Sequence, residues 1–279
     1  MKLLRYGPLG QEKPGALDAD GNIRDLSSVV TDIGADVLGP EKLARLAKLD
    51  LSSLPIVPGR PRLGQPVAQI GKFLAIGLNY KDHAAESNMP EPGEPVIFMK
   101  AISCLAGPHD NVIVPRNSLK MDWEAEIGIV IGSKCQYVTE AEALDHVAGY
   151  CVVNDVSERH FQLERGGTLD KGKSFDTLGP VGPWLVTRDE VGDVQALDIW
   201  LELNGERMQD GNTRNMIFSC ARIVSYLSEL MTLMPGDIIT TGTPAGVGMG
   251  MKPPRFLKKG DVMTLGVQKL GEQRQTVAA

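Results

Sequence analysis

Apolar and polar positions alternate in short runs over most of the chain, and the runs are separated by turn-forming residues. From Lys72 onward, β-type runs are expected at Phe73 to Ile76, Val96 to Met99, Glu124 to Ile131, Val147 to Val153, Trp184 to Val186, Ile199 to Leu203, Asp237 to Thr241 and Val262 to Leu265. One stretch has helical periodicity instead: Met216, Ile217, Cys220, Ile223, Val224, Leu227, Leu230 and Met231 recur at intervals of three and four. Asn212 or Thr213 is the expected cap of that helix, and Pro235-Gly236 its stop. Before residue 70 the pattern is irregular. Lys2 to Tyr6 reads as a strand, Ala16 to Ile23 as a hairpin turning at Asp20-Gly21, and Pro40 to Leu46 as a short helix. Pro55, Pro58, Gly59, Pro61, Gly64 and Pro66 then crowd together, which no helix or central strand tolerates. The boundary is placed there, giving a small N-terminal domain (1–70) and a larger domain (71–279). Many short strands with one long helix predict a β-rich α+β fold of sandwich or roll type, not alternating α/β.

Composition narrows the partners. The 279 residues carry 29 Lys plus Arg against 35 Asp plus Glu, a net charge of −6 that disfavours a dedicated nucleic-acid or anionic-membrane binder. No run approaches the roughly 18 apolar residues of a membrane span, and the first residues lack a signal-peptide apolar core. Cys104, Cys135, Cys151 and Cys220 are far apart and form no CxxC, so reduced thiols and a cytoplasmic location are expected.

Four segments carry candidate chemistry. In Asp122-Trp123-Glu124-Ala125-Glu126-Ile127-Gly128, a strand would point Glu124 and Glu126 to one face and Ala125 and Ile127 to the other. Two adjacent carboxylates on an apolar strand repel each other and lose hydration unless a cation or proton offsets them. Asp155 ends another apolar run; if the two strands are neighbours, three carboxylates converge, and an oxygen-only set suits Mg²⁺, Mn²⁺ or Ca²⁺ better than zinc. An edge strand with both glutamates in water is the competing reading. In Asn79-Tyr80-Lys81-Asp82-His83-Ala84-Ala85-Glu86, a helical turn would let Glu86 orient the His83 imidazole as a general base, although a polar surface helix has the same spacing. Thr240 to Gly250 is glycine-rich but runs into Pro253-Pro254 and opens no helix, which excludes a phosphate loop. It is either a structural turn or a loop presenting N–H groups and the Thr243 hydroxyl to a small anion. Lys171-Gly172-Lys173-Ser174-Phe175-Asp176 places a cation on a tight turn. No Gly-x-Ser-x-Gly elbow and no His-Glu-x-x-His occurs.

In order along the chain, Gly77 to Glu86, Pro95 to Lys100, Asp122 to Glu126, Asn154 to Arg159, Lys171 to Asp176 and Thr241 to Gly248 together resemble the fumarylacetoacetate hydrolase family over roughly residues 70 to 270. The resemblance implies a mixed β-sandwich roll, a homodimer, and a divalent cation, usually Mg²⁺, held by Glu124, Glu126 and Asp155. It implies catalytic roles for His83, Glu86 and Lys173, and a substrate-binding shell of Arg159, Gln162, Thr243 and Lys100. Glu158 departs from the family's pattern, where alanine often precedes the arginine. The implied activity is hydrolysis of a C–C bond in a 2,4-dioxo acid to give pyruvate and a carboxylic acid. The bacterial hydrolases of 2,4-diketo-3-deoxy sugar acids (fuconate and rhamnonate type) are the preferred likeness, beside acylpyruvates. Oxaloacetate decarboxylation, hydroxy-diene-dioate isomerisation, ureidoglycolate lysis and non-catalytic oxo-acid binding are the alternatives.

Overall fold

A computed structural model describes all 279 residues. Its centre is a ten-stranded mixed sheet. From one edge the order is Ile23–Asp25, Lys13–Leu17, Lys2–Tyr6, Gly179–Thr187, Val147–Asn154, Ala125–Ile131, Ile238–Thr240, Phe73–Gly77 and Val96–Lys100, with Leu105–Ala106 paired beside Gly179–Thr187. A five-stranded sheet (Glu206–Asn212, Asp198–Leu203, Val262–Val267, Gly271–Ala278, Val112–Ile113) packs against it. The architecture is a β-rich α+β sandwich, as the strand pattern predicts. No helix is long and apolar enough to cross a membrane.

Alternation along the central strands explains the layering. Ala125, Ile127, Ile129 and Ile131 face the second sheet and the Cys220–Leu230 helix, in a cluster with Ile199, Leu201, Leu265 and Ile223. Val130, Cys151 and Val153 face the opposite way, onto Leu3, Ile33, Leu38 and Leu43. Residues before position 70 therefore both extend the sheet edge and cover its second face, because an internal strand must bury both faces. All four cysteines are buried and free.

Three elements differ from the periodicity reading. The long helix starts at Cys220, capped by the Ser219 side chain on the Arg222 N–H (3.1 Å), not at Asn212 or Thr213. Asn212 caps a separate single turn, Thr213–Asn215, while Ile217 and Phe218 lie in a bend and donate their N–H groups to Asn79. Tertiary hydrogen bonds thus claim the apolar positions that continue the helical period. The Glu206–Asn212 strand follows a two-residue turn, Asn204-Gly205, with positive φ at both positions (54° and 82°); this geometry closes tight hairpins. The Gly271–Ala278 strand is missed by apolar counting because its inward positions are glutamines. Gln273 donates to the Val152 carbonyl at 2.8 Å, and Gln275 donates to Pro108 O at 2.6 Å.

Candidate active site

The Ala125–Ile131 and Val147–Asn154 strands are antiparallel neighbours, in register with Glu126 opposite Val153 and Ala125 opposite Asn154. One residue beyond the pairing, the Asp155 N–H donates to Glu124 O at 2.9 Å. Glu124, Glu126 and Asp155 thereby come together, with one carboxylate oxygen from each lying within 4.8 Å of the others, all buried. The edge-strand alternative is excluded, since the strand is internal and its glutamates are out of water.

Three cations surround this cluster. Lys173, at the end of the Asp170–Lys173 helical turn, places Nζ 2.6 Å from Glu124 Oε2 and 2.7 Å from Asp155 Oδ2. Arg159 reaches Glu124 Oε1 at 2.6 Å and Asp122 Oδ2 at 2.9 Å. Lys100 Nζ lies 2.6 Å from Asp155 Oδ1 and donates to the Leu178 carbonyl at 3.1 Å. Lys100 is fully buried behind Asp155 and off the cavity wall, so its expected place among the substrate-binding side chains is corrected: one of its three bonds holds the Asp155 carboxylate and the other two go to the Val156 and Leu178 carbonyls.

The charge balance is uneven within the cluster. Burial pushes Glu124 up, but Lys173 and Arg159 outweigh it and hold the carboxyl well below its ordinary range. For Glu126, burial and then the charges of Asp155 and Glu124 push the carboxyl well above its ordinary value; its hydrogen bonds from Thr240 Oγ1 and from the Gly242 N–H (2.7 Å) do not offset this. Four buried carboxylates (Asp122, Glu124, Glu126, Asp155) thus face three cations. An all-oxygen donor set with one uncompensated carboxylate fits a hard divalent cation.

The cluster forms the floor of a cavity of about 690 Å³. The Lys81–Glu86 helix closes one side, with His83 Nδ1 3.3 Å from Glu86 Oε2. Glu86 is latched in turn: its Oε1 accepts the Gly246 N–H at 2.9 Å. Gly246 has φ +102°, and a Cβ there would meet Met208 O at 1.9 Å, so only glycine brings that N–H to the carboxylate. The helix itself is pinned by the buried Asn79 side chain, which bonds Thr241 O and both the N–H and the carbonyl of Phe218.

Gln162 and Thr243 also reach the wall. Gln162 accepts from Arg159 Nη1 at 3.1 Å. The Thr243 hydroxyl donates to Ala125 O (2.9 Å) and accepts from Gln209 (2.7 Å), so it braces the loop rather than offering a free proton. Glu158 turns away from the floor. It caps the Arg159–Leu163 helix through the Phe161 N–H (2.8 Å) and accepts the Leu119 and Lys120 N–H groups at 2.9 and 2.6 Å.

Residue-type reasoning had no access to Asp122. It is fully buried and accepts from the N–H groups of Trp123, Gly248 and Met249 (2.9, 2.7 and 3.0 Å) as well as from Arg159. It ties the floor to the glycine-rich loop. Its adjacency to the Glu-x-Glu pair was the available signal.

A β-sandwich with a buried carboxylate cluster on a cavity floor, beneath a histidine-bearing helix, defines a class of proteins whose donor set suits a divalent cation. The fumarylacetoacetate (FAA) hydrolase C-terminal family matches residues 72–278, and the chain belongs to that family. A protein of Burkholderia multivorans, provisionally named a hydrolase, is 62% identical over 280 residues, covering 100% of this chain and 99% of that one. Fumarylacetoacetate hydrolase from Exiguobacterium antarcticum is 35% identical with a TM-score of 0.88, covering 100% and 99% of the two chains. Maleylpyruvate hydrolase from Sphingobium sp. SYK-6, in complex with manganese(II) and pyruvate, is 30% identical with a TM-score of 0.83 over 100% and 99%.

Proposed function

We propose that the protein is a divalent-metal-dependent hydrolase that cleaves the C3–C4 bond of an acylpyruvate, a 2,4-dioxo acid, to give pyruvate and a carboxylic acid. The observation that carries this reading is the shared wall of one cavity: the Glu124–Glu126–Asp155 cluster and the latched His83–Glu86 pair both open onto it. A relative of similar fold is described with manganese(II) and pyruvate, which supports both the metal and the product.

Glu124, Glu126 and Asp155 would hold the cation, which supplies Lewis-acid polarisation and charge neutralisation for an oxo-acid head. Arg159 and Lys173 add positive charge at the same pole and favour a carboxylate there. Glu86 orients His83 through Nδ1, leaving Nε2 to take a proton from water as its oxygen adds to C4. When C3–C4 breaks, the electron pair stays on C3, conjugated with the C2 oxo group. The protonated His83 then returns its proton to C3, and pyruvate leaves. The latch from the Gly246 N–H keeps the base in place through both transfers.

The apolar part of the cavity wall supports acylpyruvates over sugar acids. Leu78, Met89, Val96, Leu163, Leu169 and Met249 line the approach, and a polyhydroxylated tail would lose hydrogen bonds to water against them without replacement. An isomerase of hydroxy-diene dioates is the second reading, favoured by the 30% identity to an enzyme so named from Mycobacterium marinum.

Pyruvate release from acetylpyruvate, with and without EDTA, tests the proposal. Metal-dependent release that is lost in His83→Ala, while metal binding persists, is the expected result. Absence of pyruvate from any acylpyruvate tested overturns it.

A further inference from the structure

The charged groups on the cavity wall are almost all spoken for. Arg159 and Lys173 contact Glu124 and its neighbours, His83 faces Glu86, and Glu126 accepts two hydrogen bonds. Lys252 is the exception. It lines the same cavity and makes no hydrogen bond or salt bridge to a carboxylate or carbonyl. It is also exposed, whereas the carboxylate cluster is buried, so the two mark opposite ends: the cluster the floor, Lys252 the mouth.

The segment bearing Lys252 is held on both sides. Before it, the Gly248 and Met249 N–H groups bond Asp122, and the Met251 N–H donates to Gly248 O at 3.3 Å. After it, the Arg255 N–H donates to Gly248 O at 2.9 Å and the Leu257 N–H to Met121 O at 2.8 Å. Pro253 and Pro254 follow directly and stiffen the turn. The backbone at Lys252 is thus fixed at the mouth, while its exposed side chain keeps the rotamer freedom to meet a charged group there. Between floor and mouth the wall is mainly apolar, with Met89, Leu163, Leu169 and Met249 along it.

We infer that Lys252 is a specificity-determining residue which selects dioxo acids whose acyl tail ends in a second carboxylate, so that the substrate is a dianion bound by its oxo-acid head at the floor, by its carbon spacer along the apolar wall and by its terminal carboxylate at Lys252. This rests on the acylpyruvate reading and narrows it to dicarboxylic members. A neutral alkyl tail would leave the ammonium unpaired and gain only the apolar contacts.

The test compares acetylpyruvate, whose tail is a methyl group, with succinylpyruvate, whose tail ends in a carboxylate, on the Mg²⁺-loaded protein and its Lys252→Met variant. Because Lys252 is exposed, the expected loss of preference is modest, roughly fivefold in the succinylpyruvate to acetylpyruvate ratio of kcat/KM, carried by KM. Lys252→Arg retains the preference. The wild-type ratio falls as salt is raised, and the Lys252→Met ratio does not. An unchanged ratio in Lys252→Met, or an equal loss for both acids, overturns the inference while leaving the hydrolase reading intact. Release of pyruvate from neither acid overturns the hydrolase reading instead. Calorimetric titration of both acids into wild-type and Lys252→Met protein then decides tail selectivity without turnover: equal affinity ratios refute it, and a lower ratio in the variant upholds it.

Discussion

Replacing Asp122 with asparagine changes no volume but reverses the hydrogen-bonding sense of one atom at the junction of floor and loop. Asp122 Oδ1 accepts from the Trp123 and Gly248 N–H groups, and an asparagine oxygen retains both bonds. Oδ2 accepts from the Met249 N–H and Arg159 Nε, so an amide NH₂ at that position faces two donors. Rotating the amide exchanges one pair of losses for the other. Asp122 is fully buried and Arg159 nearly so, so water does not replace these bonds. Two stranded donors and a buried guanidinium deprived of one of its two carboxylates cost about 3–5 kcal/mol. In a chain of this length that loss lowers Tm by on the order of 10 °C. The released Met249 N–H also loosens the loop whose Met249 and Gly250 line the cavity, so KM for an acylpyruvate rises with the loss of stability. Scanning calorimetry and urea titration of Asp122→Asn, with pyruvate-release kinetics below the transition, measure both effects. Stability within about 0.5 kcal/mol of wild type, the range of an ordinary surface substitution, together with unchanged KM, refutes the claim that Asp122 joins floor and loop.

Three further outcomes are expected. Glu126→Gln replaces a cluster carboxyl with an amide that cannot ionise toward a bound cation, and isothermal titration should show divalent-cation affinity at least tenfold weaker, about 1.4 kcal/mol or more, with EDTA abolishing activity more readily than in wild type. Glu158→Ala deletes the cap on the Arg159–Leu163 helix and leaves the Leu119 and Lys120 N–H groups without their acceptor, so urea unfolding should reveal a loss of about 2–4 kcal/mol, with metal affinity little changed because Glu158 points away from the floor. Burial pushes the thiols of Cys151 and Cys220 up to about 12 and that of Cys104 to about 11. The thiolate, the reactive form, is scarce at pH 8 and grows only as pH rises toward those values, so native protein should resist a thiol reagent that labels all four cysteines in urea.

The amino-acid sequence by itself determined the strand runs, because alternation of apolar residues reports which face a strand buries, and that signal is local. It marked Glu124, Glu126, His83 and Glu86 as chemically unusual through spacings of two and three, which put side chains on one face of a strand or a helical turn. Asp155 depended on strand order: only the antiparallel pairing of Ala125–Ile131 with Val147–Asn154 brings it to the glutamates. Spacing said nothing of Lys100, whose ammonium lies behind Asp155, and left Thr243 open between a structural turn and an anion contact; its hydroxyl braces a loop, and both placements depend on which distant carbonyl or carboxylate packs beside them. The same is true of Asp122 and Asn79, each a hub of hydrogen bonds to segments more than a hundred residues away. The helix beginning at Cys220 shows the reason in one element. Periodicity counts apolar positions within a segment, but Ile217 and Phe218 give their N–H groups to Asn79, and a backbone donor bonded across the fold cannot also serve the local helix.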